Sequence, residues 1–274
     1  MRIPENLEVF ATHGAFAAPP ELEEHIHRQF GERMRRNFSD FATAELIEDI
    51  PQQQRAVPRY GRIGGDPGRS LDAQDLFRPT DFNGIKIYRK PLPDQVKEEA
   101  LAASYIPYHR AVVEHLLRVH GDPRNLVVAI DLHDTGDLLL APEPMYDVTR
   151  EAKQGWNMPP VILSNRDGQT APEQLMADLQ AAFQEHLGLN ADEVECNTRY
   201  KGGFVTQHYG DPQNPQLREA KNPDRAVVQV ELKRGLYLHE KTQIVLPEAM
   251  RHYREKLALI FAEVADGYMH HAKP

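Results

Sequence analysis

The sequence predicts an α/β fold: a single domain with a mostly parallel mixed sheet and helices on both faces of that sheet. Two observations predict it. Short apolar runs alternate with longer segments in which apolar residues recur every three or four positions, which is typical of strands joined by crossover helices. The 274 residues also contain no repeat, low-complexity tract or clean linker, so residues 1–274 are expected to form one domain.

The predicted strands are short and rich in β-branched residues. Residues 126–130 form a continuous apolar run, as expected of a strand that is covered on both faces. The other predicted strands are residues 7–12, 160–163, 193–196 and 225–232. Helical segments lie between most of them, and this alternation favours parallel pairing with crossover connections.

The predicted helices are marked by apolar periodicity and by residues that commonly start or stop a helix. Asp94 and Pro107 are expected to start two consecutive helices, while Gly121 and Gly188 are expected to follow the ends of two helices. The predicted helices cover residues 22–38, 95–104, 107–119, 172–187 and 247–265.

Residues 51–93 are predicted to form an irregular insertion. This stretch contains five glycines and six prolines, which exclude long helices. Irregular segments of this length are unusual in compact domains and tend to be either functional or mobile. The insertion is therefore expected to contribute to a site or to move near one.

The composition excludes several classes of protein. There are 32 Lys and Arg against 41 Asp and Glu, a net charge of −9 that argues against nucleic-acid binding. Cys196 is the only cysteine, which excludes an intrachain disulfide and a Cys-rich zinc site. The first residues lack the apolar core of a secretory signal, and no apolar run approaches the roughly 18–20 residues that span a bilayer. We expect a cytoplasmic protein without nucleic-acid or membrane partners; its oligomeric state stays open.

Polar residues follow or end the predicted strands. In open α/β sheets, ligands bind outside the carboxyl ends of the strands. Two histidines and an acid at this edge are the components of a metal site, because a catalytic zinc commonly takes three His or carboxylate ligands and leaves one position open. Their wide separation in sequence leaves the presence of a metal open. The residues concerned are His13, Asp131, His133, Asn165, Asn197, Gln229 and Glu231.

The order and content of these segments resemble the N-formylglutamate amidohydrolase (N-formylglutamate deformylase) family. The resemblance covers about residues 8–240, and it depends on the ordered set of motifs rather than on any single one. The matching segments are a His-Gly turn at His13, an Arg…Asp-x-x-Arg segment at Arg62, Asp66 and Arg69, a Tyr-x-Pro-Tyr-His helix start ending at His109, Asp131-Leu-His133, residues 197–203, Tyr209-Gly210, and Gln229-Val-Glu231 with Leu236-Tyr237.

This resemblance implies a fold similar to that of zinc carboxypeptidases and aspartoacylase. It also implies hydrolysis of an N-acyl amino acid, with N-formyl-L-glutamate as the expected substrate and L-glutamate and formate as products, a step of histidine degradation. One divalent metal is expected, and zinc is favoured, although His and carboxylate ligands also suit cobalt, iron or manganese. The predicted ligands are His13, Asp66 and His133; Asp66 could instead serve an ordinary Asp-Pro-Gly turn.

The remaining candidate residues are assigned to catalysis and substrate binding. Glu231 is the predicted general base, since a strand-borne Glu has this role in the carboxypeptidase-like enzymes; otherwise it would be a strand residue paired with Lys233. Asp131 could orient His133 or cap the following loop. Arg69 is predicted to polarise the carbonyl or to bind a carboxylate, as Arg62 could too, because arginine offers a bidentate fork. The other predicted substrate-binding residues are His109, Asn197, Lys201 and Gln229.

Two departures from the family pattern keep other functions open. Thr12-His13-Gly14-Ala15 lacks the serine that usually follows this histidine in the family, and Asp134 stands after His133 where the family usually has a serine. They motivate a second hypothesis, in which the substrate is a different N-acyl amino acid or a small amide that carries a carboxylate. A third hypothesis is a binding protein that keeps the fold without turnover.

Overall fold

The computed structural model describes residues 2–118, 126–136, 138–139, 156–217, 224–239 and 241–269. Gly121, which is predicted to follow the end of a helix, lies outside these residues. Within the described ranges, no helix combines the length and the apolar character that crossing a membrane requires.

A six-stranded mixed sheet forms the centre of the fold. The strands of the described residues are β1 Leu7–Phe10, β2 Arg55–Ala56, β3 Val127–Thr135, β4 Leu138–Leu139, β5 Trp156–Asn157, β6 Val161–Ser164, β7 Val194–Cys196, β8 Arg225–Lys233, β9 Leu238–His239 and β10 Ile244–Val245. The sheet has the order β2-β1-β3-β8-β6-β7, and the other strands form two short ribbons. Four of the five neighbouring pairs are parallel, and β6 is antiparallel to β8. The predicted fold class is confirmed.

Helices cover both faces of this sheet. The α-helices of the described residues are α1 Glu32–Phe38, α2 Thr43–Leu46, α3 Asp94–Ala103, α4 Tyr105–Arg118, α5 Glu173–Leu187, α6 Phe204–Gly210 and α7 Pro247–Gly267. Helices α2, α5 and α7 bury their apolar residues against one face, and α4 and α6 bury theirs against the other. Each face thereby has its own hydrophobic core, as the continuous apolar strands require.

The alternation of side chains along β3 determines where polar residues can gather. Its apolar even-numbered residues pack beneath α5 and α7, whereas Val127 and Ala129 pack beneath α4 and α6. Asp131 and His133 have the same parity as Val127 and Ala129, so they point to the same face at the carboxyl end of the strand. The buried strand thus carries two polar residues toward one edge of the sheet.

The irregular insertion is ordered and belongs to a third core. Its apolar residues pack against α3, against α1 and against the segment that precedes α1. The main members of this third core are Leu22, Ile26, Phe30, Phe38, Ile63, Ile87, Tyr88 and Leu92. A turn around the Asp81 side chain helps to shape it, since Asp81 Oδ1 accepts hydrogen bonds from the backbone N–H groups of Asn83 and Ile85 at 2.9 and 2.8 Å. No α-helix forms over residues 51–93, as predicted.

The helix predicted over residues 22–38 is wrong for most of its length. Only α1, Glu32–Phe38, is helical in the α form. The preceding residues run beside the end of the insertion instead: the backbone of His27 donates to Ile87 at 2.8 Å, and that of Arg89 donates to His25 at 2.9 Å. Tertiary pairing with a distant segment therefore overrides the local helical pattern. Two short helices, α2 and α6, were not predicted.

Asn6 provides a test of how the sheet is tied to α7. This side chain is fully buried, and its Nδ2 donates to the carbonyls of Leu126 and Ala265, each at 2.9 Å. Replacing Asn6 with Asp would turn a carboxylate oxygen toward two carbonyl acceptors, and we expect a loss of about 2–3 kcal/mol in the free energy of unfolding. Urea unfolding at pH 7 measures it.

Asn83→Asp is the matched control, because Asn83 is exposed in a turn. It should change the free energy of unfolding by less than about 0.5 kcal/mol. Equal effects of the two substitutions would contradict a structural role for the Asn6 amide.

Candidate active site

Three polar side chains from separate parts of the chain meet at the carboxyl end of the central strands. His13 lies just after β1, His133 lies near the end of β3, and Asp40 lies in the loop between α1 and α2. All three are buried, with 6–8% of each residue exposed. Strands β1 and β3 are parallel neighbours, so the ends that carry the histidines lie side by side.

The inward-facing atoms of these residues form a compact triangle. His13 Nδ1 lies 3.2 Å from His133 Nδ1 and 3.3 Å from Asp40 Oδ2, and His133 Nδ1 lies 2.9 Å from Asp40 Oδ2. Zinc ligands about 2.0–2.1 Å from the ion in a tetrahedral site are separated by roughly 3.3 Å. The separations and the donor types therefore fit one divalent cation.

The outward-facing nitrogen of each imidazole is bound to a second carboxylate. His13 Nε2 lies 2.7 Å from Asp66 Oδ1, and His133 Nε2 lies 3.1 Å from Asp131 Oδ1. Burial would raise the pKa of both carboxyls, but the nearby histidines, with Arg62 beside Asp66, lower each pKa below its ordinary value. Both acids are therefore ionised acceptors, and both Nε2 atoms must donate.

This hydrogen-bond pattern leaves the triangle short of positive charge. In a neutral imidazole whose proton is on Nε2, Nδ1 carries a lone pair. The Nδ1 lone pairs of His13 and His133 then face each other, and both also face the Asp40 carboxylate. Burial lowers the pKa of His133, but Asp131 and Asp40 together raise it well above its ordinary value. The site therefore attracts a proton or a metal cation, and a metal would displace that proton.

Asp66 is placed differently from the sequence prediction, which made it the third metal ligand. It contacts the far nitrogen of His13, because the turn that follows it directs its carboxylate to the backbone of Gly68, 2.8 Å from Asp66 Oδ1. Asp40 takes the third corner instead. No sequence signal marks Asp40: its carbonyl accepts from Thr43 in an ordinary helix start. The alternative in which Asp131 orients His133 matches the structure.

Arg62 is enclosed beside the carboxylates rather than directed into open space. Its guanidinium lies 5.3 and 5.5 Å from the ring centroids of Phe38 and Phe82. Its nitrogen atoms lie 3.8 Å from Asp40 Oδ1 and 3.9 Å from Asp66 Oδ2. Burial would raise the pKa of Asp40, but its contacts with the two histidines and the charge of Arg62 lower it well below its ordinary value.

Glu231 lies directly across from His133. The two residues are paired in the register of β3 and β8, and Glu231 is buried. Burial raises the pKa of Glu231 to about 8; the charge of His133 opposes this shift, and the charges of Asp40 and Asp134 add to it. An acid with a pKa near neutrality can both accept and release a proton at physiological pH.

Gln229 holds Glu231 in place. Gln229 Nε2 donates to Glu231 Oε1 at 2.7 Å, and Gln229 Oε1 accepts from the backbone of Gly203 at 2.5 Å. The two side chains share a face of β8, as their spacing predicts. Because both ends of the amide are engaged, Gln229 connects the acid to the segment before α6, whereas the sequence predicts that it binds substrate.

The other predicted site residues have partners of their own. Asn197 Nδ2 donates to Asn165 Oδ1 at 2.7 Å, which shapes the loop after β6. Lys201 Nζ lies 2.8 Å from Asp167 Oδ2 in an exposed ion pair. Asn197 and Lys201 thus have contacts that serve the surrounding loops.

Arg69 and His109 lie beside the Asp66 turn and α6. Arg69 donates to Asp75 at 3.0 Å and to the carbonyl of Gly68 at 2.9 Å. His109 Nδ1 lies 2.7 Å from the Tyr209 hydroxyl, and burial, with the charge of a second histidine, lowers the pKa of His109 to about 4. His109 is therefore neutral at physiological pH.

The family model of N-formylglutamate amidohydrolase matches residues 9–238 of this sequence. The chain belongs to this family. The matched range includes the whole triangle, its outer carboxylates and Glu231. The predicted resemblance to this family, whose name is that of a hydrolase, is confirmed.

One curated relative of this chain is distant. The N-formylglutamate deformylase of Pseudomonas aeruginosa is 26% identical over 149 residues, which are 54% of this chain and 50% of that protein. The chain thus matches about half the length of this curated relative.

Two solved structures share the fold. A crystal structure of N-formylglutamate amidohydrolase from Ralstonia eutropha JMP134 has a TM-score of 0.75 at 20% identity, over 96% of this chain and 94% of that one. The gene product Atu2144 from Agrobacterium tumefaciens has a TM-score of 0.62 at 13% identity, over 97% and 92% of the two chains.

Gly68 tests the contact between His13 and Asp66. A Cβ atom at Gly68 would lie 2.7 Å from His13 Nε2 and 3.1 Å from Asp66 Oδ1, so Gly68→Ala should push the two apart. Partners that orient a ligating histidine typically contribute about 10–100-fold to metal affinity. With added zinc as the probe of a cation at the triangle, we expect the dissociation constant to rise within that range. Titration against a chromophoric chelator measures it.

Gly267→Ala is the matched control, since a Cβ atom there meets nothing within 4 Å. Its zinc affinity should equal that of the unaltered protein. An unchanged affinity in Gly68→Ala would show that Asp66 does not support His13.

Proposed function

We propose that this protein hydrolyses the amide bond of an N-formyl amino acid, with N-formyl-L-glutamate as the first candidate and L-glutamate and formate as products. The observation that carries the proposal is the triangle of His13, Asp40 and His133, whose three acceptor atoms lie within 3.3 Å of one another. Membership of the N-formylglutamate amidohydrolase family supports the reaction and the substrate class. In this proposal the reaction is a cytoplasmic step of histidine degradation.

A divalent cation, with zinc as the first candidate, would be held by His13, Asp40 and His133. When bound, such a cation supplies Lewis acidity and positive charge that stabilise the developing oxyanion. The donor set of two imidazoles and one carboxylate suits this role, and the outer carboxylates Asp66 and Asp131 fix the orientation of both rings.

Glu231 has the position and the surroundings of the general base. It faces the triangle from the neighbouring strand, and Gln229 fixes its carboxylate. Glu231 takes a proton from the attacking water and passes it to the departing amine nitrogen, so the same carboxyl serves as base and then as acid. A positive charge in the triangle favours the ionised form that starts this cycle.

Two cationic side chains are accessible enough to bind a substrate carboxylate. The side chain of Arg69 is 24% exposed, and that of Lys201 is 40% exposed. Arg62 is 8% exposed and balances the charge of Asp40 and Asp66, so we assign it to charge balance rather than to the substrate. His109 and Asn197 remain proposed substrate-binding residues.

The two departures from the family pattern do not carry equal weight for another substrate. Asp134 points to the face of β3 opposite His133, where it pairs with Arg234. Its substitution for serine is thereby explained without the substrate. A panel of N-formyl-L-glutamate, N-acetyl-L-glutamate and N-formyl-L-methionine tests the choice, and a preference for either of the last two would favour the alternative hydrolase.

Metal removal tests the proposed mechanism. Dialysis against a chelator should abolish formate release from N-formyl-L-glutamate, and zinc should restore it. His133→Ala removes one corner of the triangle, so its zinc affinity and its turnover should both fall by at least about 100-fold. The measurements are formate release and elemental analysis of the purified protein.

His186→Ala is the control, because His186 makes an exposed ion pair with Glu263. It should keep the zinc content and the turnover of the unaltered protein. Turnover that persists at the same rate in chelator would refute the metal mechanism.

Glu231→Gln tests the general base. The substitution keeps the shape of the side chain but removes the proton acceptor, so kcat should fall by about 10²–10⁴-fold while zinc content is retained. Formate release under saturating substrate measures kcat. Glu263→Gln, at an exposed position on α7, should leave kcat unchanged, and an unchanged kcat in Glu231→Gln would remove Glu231 from the mechanism.

A further inference from the structure

A buried ion pair lies behind the triangle, on the opposite face of β3. Asp134 follows His133 directly, and Arg234 follows the end of β8. Arg234 Nε donates to Asp134 Oδ1 at 2.8 Å, and a terminal nitrogen of Arg234 donates to the same oxygen. The hydroxyl of Tyr237 donates to Asp134 Oδ2 at 2.9 Å. Both carboxylate oxygens of Asp134 are therefore engaged.

The same guanidinium also reaches the loop that carries Asp40. Its terminal nitrogens donate to the carbonyls of Ser39 at 2.9 Å and Asn37 at 3.4 Å. One of them lies 3.6 Å from Asp40 Oδ1, the carboxylate oxygen that does not face the histidines. Arg234 thus connects the end of β3 to the backbone and the side chain of the Asp40 loop.

Asp40 needs such support more than the two histidines do. His133 is held within a central strand, and His13 follows one closely. Asp40 instead lies between a seven-residue helix and a four-residue helix, outside the sheet. We propose that Arg234, fixed by Asp134 and Tyr237, is the positioning residue that holds Asp40 in place to complete the metal triangle. This inference rests on the proposed function.

The charge of Arg234 does not explain its presence beside a cation site. Arg234 and Arg62 both lie near Asp40 Oδ1, at 3.6 and 3.8 Å, and their positive charges oppose the binding of a metal cation at the triangle. The planar guanidinium group does explain it, because it donates hydrogen bonds to Asp134 and to the loop carbonyls of Asn37 and Ser39 at the same time. A lysine keeps the charge but lacks this geometry.

Arg234→Lys therefore separates geometry from charge. We expect its zinc dissociation constant to rise by about 10-fold or more, the range typical of residues that orient a ligand. Zinc affinity is measured on folded, chelator-stripped protein by competition with a chromophoric chelator, and urea unfolding of the zinc-free protein records stability. Tyr237→Phe, which removes only the hydroxyl that holds Asp134, should raise the dissociation constant in the same direction by less.

Arg118→Lys is the matched control. Arg118 Nη2 donates to the buried Glu8 at 2.8 Å, an ion pair on β1 with no contact to the Asp40 loop among those the structure describes. It should leave zinc affinity unchanged. Should Arg234→Lys fail to fold, Tyr237→Phe decides the question by itself.

The outcomes distinguish this inference from the proposed function. Zinc affinity that is unchanged in Arg234→Lys and Tyr237→Phe, with lower stability alone, overturns the positioning role. When His133→Ala still loses zinc in that case, the proposed metal site stands. An unaltered protein that binds no zinc overturns both.

Discussion

The arrangement of protons around two imidazoles governs the chemistry of this site. Asp66 and Asp131 each hold an Nε2–H, which turns the Nδ1 lone pairs of His13 and His133 inward, toward the Asp40 carboxylate. Three acceptors that face one another are repulsive unless positive charge lies between or beside them. The cost is tolerated because strands, loop and outer carboxylates hold the acceptors together, and this preorganised repulsion favours a proton or a cation between them.

Much of the frame that carries the histidines could be predicted from the sequence. Apolar runs located β3, β6 and β8, since strands buried on both faces need continuous apolar residues. The parity of side chains along a strand predicted that Gln229 and Glu231 share a face, and the carboxyl ends of parallel strands predicted a polar edge that contains His13 and His133. These features follow from local rules that hold wherever a strand lies in such a sheet.

What could not be predicted depends on contacts between distant segments. Asp40 lies in a loop that is positioned by Arg234, almost two hundred residues further along the chain, and no local pattern distinguishes it from a residue that starts a helix. The helical pattern of residues 22–31 was overridden in the same way, by pairing with residues 87–89. Asp66 was predicted as a ligand beside His13, and sequence could not determine that it would contact the outer imidazole nitrogen instead.

The irregular insertion supplies Asp66, Arg62 and Phe82, so part of the electrostatic surroundings of the triangle comes from this insertion rather than from the sheet. Segments with small separate cores open locally at lower free energy than central strands. Under the proposed function, the folded insertion and the bound cation favour each other, because Asp66 of the insertion contacts His13. Substitutions in the insertion, away from the three proposed ligands, are therefore expected to change the affinity for that cation.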